Sequence, residues 1–149
     1  VQLFDNQNNS TMNPKIRTIL AVVAGLIAGS VVIALVQLFS PYQPPPDLDM
    51  NDKAKFGEWV NSLPLSAFFI VLLAYFLGSV AGGWLTNLIA MPTKYRPALV
   101  TGFGLFVAGL MNLLAIPHPM WFAVSSSLIY FVGAWAGGRL TRKTDARRR

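Results

Sequence analysis

Four apolar runs divide this chain, at about residues 18–39, 65–85, 98–116 and 121–140. Each is long enough to cross a bilayer, and none holds an ionisable residue away from its ends. At 1.5 Å per residue, the run 18–39 covers about 33 Å as a helix, against a hydrocarbon core of about 30 Å. The fold class that follows is an all-α membrane protein with four transmembrane helices. Charged residues make up 12% of the chain, half the roughly 25% usual in soluble domains. They sit at the ends and in the loops. The net charge of +6 would suit nucleic acid, but the basic residues flank the apolar runs, where Lys and Arg set topology. There are no cysteines, which excludes disulfides and thiolate metal sites.

Within this frame one segment occurs twice. Tyr75–Thr86 reads YFLGSVAGGWLT, and 55 positions later Tyr130–Thr141 reads YFVGAWAGGRLT, with eight of twelve positions identical. Each copy has two glycines four apart, Gly78/Gly82 and Gly133/Gly137, and the first run adds Gly25/Gly29. That spacing puts both glycines on one helix face. In lipid, where the hydrophobic effect no longer drives helix against helix, such faces let backbones pack closely. These six glycines are the expected helix-packing residues. The second and fourth runs point the same way, so their likeness predicts two parallel helical hairpins related by rotation about the membrane normal. LIAG at Leu26–Gly29 and FVAG at Phe106–Gly109 add thinner support.

Residues 1–13 are polar and without helical period, and read as a disordered extension in which Met12 is a candidate start. The first apolar run exceeds the 7–15 residues of a signal-peptide core, so it reads as an uncleaved anchor. Residues 40–64 form the one long loop. Its PYQPPPD opening favours extended geometry. After it, Asn51 or Asp52 is placed to cap a short helix with Phe56, Trp59, Val60 and Leu63 on one face, either lying on the membrane surface or serving as a plain re-entry turn. The acidic residues there fit no calcium-loop spacing and read as a solvated loop. Residues 142–149 are a basic tail. Lys15, Arg17, Lys94, Arg96, Arg139 and the tail all fall on one side of a four-span layout, which predicts both termini in the cytoplasm, N-in and C-in.

Candidate chemistry is sparse. The spans lack the buried ionisable groups that mark proton relays, or the acid–base pair of a membrane hydrolase, so no enzymatic activity is expected. His118, between two prolines, has no metal-ligand partner near it in sequence. No catalytic, cofactor or metal residues are assigned. Ser30, Gln37, Ser66, Ser79, Thr101, Asn112 and Ser125–Ser127 are the polar residues of the spans. Asn112 is the least comfortable in lipid, and is expected to make a polar contact with another helix.

From Met12 onward the chain resembles small bacterial four-span inner-membrane proteins with no assigned activity. The residues that carry the resemblance are the PPP-acidic loop, LPLSAFF at Leu63–Phe69, AGGW at Ala81–Trp84 and, most specifically, IPHPMWF at Ile116–Phe122. It implies the fold and a multi-pass location in the bacterial cytoplasmic membrane, and supplies no functional residues. The surplus of small-residue faces leads to the expectation of a structural or accessory packing subunit, homo-oligomeric or part of a larger membrane complex. The alternative is a small passive channel or transporter acting as an oligomer. The partner expected in either case is the lipid bilayer, and no nucleic acid.

Overall fold

The structure is a computed structural model describing residues 12–49, 51–91, 96–116 and 118–146, with side chains as far as Thr141. Five helices follow one another: α1 (Pro14–Leu38), α2 (Lys53–Ser62), α3 (Leu65–Ala90), α4 (Arg96–Ala115) and α5 (Met120–Ala146). All but α2 are long and apolar enough to cross a membrane. No strand occurs among the described residues. The expected extension at residues 1–13 lies, but for Met12 and Asn13, outside them.

Local chemistry sets the helix ends. The Asn13 side chain accepts from the Lys15 N–H at 3.0 Å, and Pro14, whose missing N–H costs nothing in a first turn, begins α1. α1 therefore starts at Pro14, four residues before its apolar run. Its C-terminal carbonyls are taken up by Gln43, whose Nε2 donates to Gln37 O at 2.8 Å and to Ser40 O at 3.1 Å. This folds the proline-rich connection back over the helix end. Asp52 caps α2 by accepting from the Lys55 N–H at 3.2 Å, and that bond holds its carboxyl below the usual range. Pro64 and Pro119 stand just ahead of α3 and α5. α3 ends at Met91, held left-handed at φ 48°, uncommon for a residue with a Cβ. α5 runs on to Ala146, six residues past its apolar run, because Lys and Arg are good helix formers and need not be buried to continue a helix. α4 spans Arg96–Ala115 where hydropathy predicts 98–116.

α3 is the central helix and touches each of the other three long helices. Two small-residue stripes on neighbouring faces let it do so. Gly78, Gly82 and Thr86 face α1, while Ser79, Gly83 and Asn87 face α5. The α1 seam is antiparallel: a Cβ on Gly82 would lie 2.7 Å from Gly25 O, and one on Gly29 2.9 Å from Gly78 O. The α5 seam is parallel: Tyr75 meets Tyr130, Ser79 meets Gly133, and Gly83 meets Ala134. α4 packs beside both, through Gly102 on Ala134 and Gly104 on Leu26. Large apolar side chains such as Ile19, Val23, Ile27 and Val31 on α1, and Val100, Phe103 and Met111 on α4, point outward. Few hydrophobic residues fill the interior, as expected of a bundle whose apolar solvent lies outside it.

Candidate functional site

The six candidate glycines are all buried within one chain. Gly25 and Gly29 meet Gly82 and Gly78 across the α1–α3 seam, and Gly133 and Gly137 meet Phe76, Ser79, Val80 and Trp84 of α3. The repeat thus supplies glycine pairs at equivalent positions that pack on different neighbours: α1 for the first copy, α3 for the second. The two copies also touch each other directly. Tyr75 and Tyr130, which open them, stack with ring centroids 5.0 Å apart and planes at 26°.

Towards the end of the bundle away from α2, the interior is polar. Thr86 Oγ1 lies 2.6 Å from Thr101 Oγ1; Thr86 also reaches Gly82 O at 2.8 Å, and Thr101 reaches Pro97 O at 3.4 Å. Asn87 Nδ2 donates to Gly138 O at 3.2 Å, and Arg17 donates from Nη2 to Ala90 O at 2.8 Å, tying α1 to the last turn of α3. Ser79 is fully buried and its Oγ has no partner. These contacts are interhelical glue. The α1 and α3 backbones are in contact at Gly25 and Gly82.

At the α2 end the helices part around a half-open cavity of about 480 Å³. Its walls come from every element. α1 gives Gln37, the following connection gives Tyr42, α2 gives Phe56, Trp59 and Val60, α3 gives Phe68, Val71 and Tyr75, α4 gives Asn112, and α5 gives Phe122. α2 was open to two readings, surface helix or re-entry turn. It is a helix, and its predicted apolar face closes the cavity, with Phe56 and Val60 buried against the bundle. Tyr42 fixes the connection by a 2.7 Å hydroxyl contact with Ser66 on α3. Phe122, 1% exposed, is the hub of the aromatic wall and meets Phe68 at 5.3 Å, Tyr75 at 6.4 Å and His118 at 5.2 Å between ring centroids. His118 Nδ1 lies 2.7 Å from Ile116 O; a carbonyl only accepts, so Nδ1 carries the proton.

Asn112 is exposed rather than buried against a helix. It stands in the cavity wall, where its amide and the Tyr130 hydroxyl lie next to the Tyr75 hydroxyl. The lining thus has apolar aromatic sides, a neutral polar pair at Tyr75 and Asn112, further polar side chains at Gln37, Ser40, Tyr42, Gln43 and His118, and no carboxylate, lysine or arginine. Sequence reasoning singled out Asn112 and the α2 face but not the space between them. The spacing of Phe56, Trp59, Val60 and Leu63 was the available signal, since an apolar helix face in a short connection needs something to cover. Comparison of the chain with protein-family models, with curated proteins and with solved structures found no match.

Proposed function

We propose that the protein is an integral membrane protein without enzymatic activity, which binds a small molecule in the cavity at its α2 end. The cavity carries this reading. At about 480 Å³ it falls within the roughly 300–1,000 Å³ typical of small-ligand sites, and its lining is mostly apolar with a limited set of neutral polar side chains, as in such sites. Placed in the bacterial cytoplasmic membrane with both termini inside, as the Lys and Arg distribution favours, the cavity opens outward. Among its lining residues His118 has its Nδ1 bound to Ile116 O and no carboxylate or lysine stands with it, which supports binding over turnover.

Two features weigh against the other readings. A packing subunit was expected because the chain carries more glycine faces than one molecule seemed able to bury, yet all six glycines pack inside it. A channel within one molecule needs a path between its helices, and at Gly25 and Gly82 the α1 and α3 backbones touch. The test pairs two assays on the purified full chain. A panel of small neutral molecules should include ligands that raise its melting temperature in nanodiscs, and Val71→Trp, which fills the cavity, should abolish the rise. Liposomes carrying the protein should leak small solutes no faster than empty ones. Leakage well above empty liposomes would replace this reading with the channel.

A further inference from the structure

Resting on that reading, we infer the chemical class of the ligand: a neutral aromatic molecule with one hydroxyl or carbonyl group, held with that group against Tyr75 and Asn112. Three observations carry it. The first is charge. The lining offers no Lys, Arg, Asp or Glu, and an ionised group enclosed there would lose its hydration without gaining a counter-ion. The second is shape. Trp59, Phe68 and Phe122 stand in the lining, and aromatic walls suit a flat ring in offset or edge contact. The third is the position of the polar groups. Of the α3 residues in the wall, Tyr75 is the farthest from α2, so a ligand hydroxyl reaching it leads into the cavity and the ring follows. The Asn112 amide both donates and accepts, and its exposure leaves it capacity for a guest.

A phospholipid fits less well. Its acyl chain would end against the polar groups of Tyr75 and Asn112.

The experiment uses the full chain in phosphatidylcholine nanodiscs and a photoreactive phenol, 4-(3-trifluoromethyl-3H-diazirin-3-yl)phenol, with labelled residues mapped by mass spectrometry. Saturable labelling is expected on cavity residues such as Trp59, Val71 and Phe122. Excess 1-naphthol should suppress it. Naphthalene, without the hydroxyl, and 1-naphthalenesulfonate, which is charged, should compete about tenfold less well. Asn112→Leu should weaken labelling about fivefold to tenfold, the size of one lost hydrogen bond, and Asn112→Gln should restore much of it. The melting temperature of unliganded Asn112→Leu should fall only slightly, because the side chain is exposed and the Tyr75 hydroxyl keeps Tyr130 as a neighbour.

Equal competition by naphthalene, or wild-type labelling of Asn112→Leu, would overturn the assignment of the polar wall while leaving the cavity as a binding site. Better competition by the sulfonate would overturn neutrality in the same way. A phospholipid that co-purifies and is released by the phenol would overturn the ligand class in favour of lipid. No saturable labelling of cavity residues would overturn this inference and the proposed function together.

Discussion

A glycine in this bundle matters according to what its missing Cβ would strike. At Gly82 it would meet the Gly25 carbonyl at 2.7 Å, and at Gly137 the Val80 carbonyl and the Trp84 nitrogen. These are backbone atoms, and only a shift of the whole helix relieves the clash. Gly104 faces the tip of Leu26, a side chain that can turn aside. We therefore expect Gly82→Ala and Gly137→Ala each to destabilise by about 1–3 kcal/mol, the usual cost of overpacking, and Gly82→Leu and Gly137→Leu by more. Gly104→Ala and the lipid-facing Leu73→Ile should change little. Melting temperatures in detergent, compared across the set, would show it; equal losses at Gly82 and Gly104 would contradict the backbone argument. The Thr86–Thr101 contact makes a second test. Interhelical hydrogen bonds in membranes are worth about 0.6 kcal/mol on average, so Thr86→Val should cost about that much. The double variant Thr86→Val with Thr101→Val should cost less than the sum of the two singles, because it leaves no unpaired hydroxyl.

Among the elements, α2 is the one held least firmly. It has ten residues and buries Phe56, Gly57 and Val60, whereas α3 is buried on several sides along its length. Isolated helices of that length are marginal in water, so its order depends on the apolar face over the cavity and on its cap. We expect its amides to exchange with solvent far faster than those of α3, and Phe56→Ala to release α2 while the four long helices stay folded. Exchange measured by mass spectrometry would show this, and uniform loss of protection would contradict it. The cap adds a pH dependence. The Lys55 N–H lowers the Asp52 carboxyl below its ordinary value, so protonation weakens the cap. The stability it contributes is present above the ordinary Asp range, near pH 4, and is lost as pH falls through the lowered value. Asn also caps helices, so Asp52→Asn should remove the pH step and keep the helix. Fluorescence of Trp59 in a variant with the other tryptophans replaced by Phe would follow the change.

At the scale of the whole molecule the open question is which way the bundle faces. With Lys15, Arg17, Arg96 and Arg139 at one end and Asp47, Asp49, Asp52 and Glu58 at the other, the positive-inside bias points one way. Reporter domains fused after Arg96 or Arg149 should read as cytoplasmic, and one inserted in 47–52 as external. A cytoplasmic reading for the acidic connection would invert the molecule and turn the cavity towards the cell interior.

The sequence by itself determined the four spans, the helical class and the glycine positions. The reason is that bilayer thickness and hydropathy act on each run separately, and i,i+4 spacing is a property of a single helix. It also marked the apolar face of α2 and a cap at Asn51 or Asp52, both local patterns. It left the helix ends at Pro14 and Ala146 unmarked, because hydropathy marks where lipid is and hydrogen bonding marks where a helix stops. What only the tertiary structure decided is which neighbour each face meets. Gly78/Gly82 and Gly133/Gly137 look alike in sequence, yet one pair packs on α1 and the other on α3, because α3 sits between α1 and α5 and offers a small-residue stripe to each. The cavity belongs to the same class of fact. Gln37, Trp59, Tyr75, Asn112 and Phe122 come from five helices and share no spacing, and they become one site only where the packed helices part beneath α2.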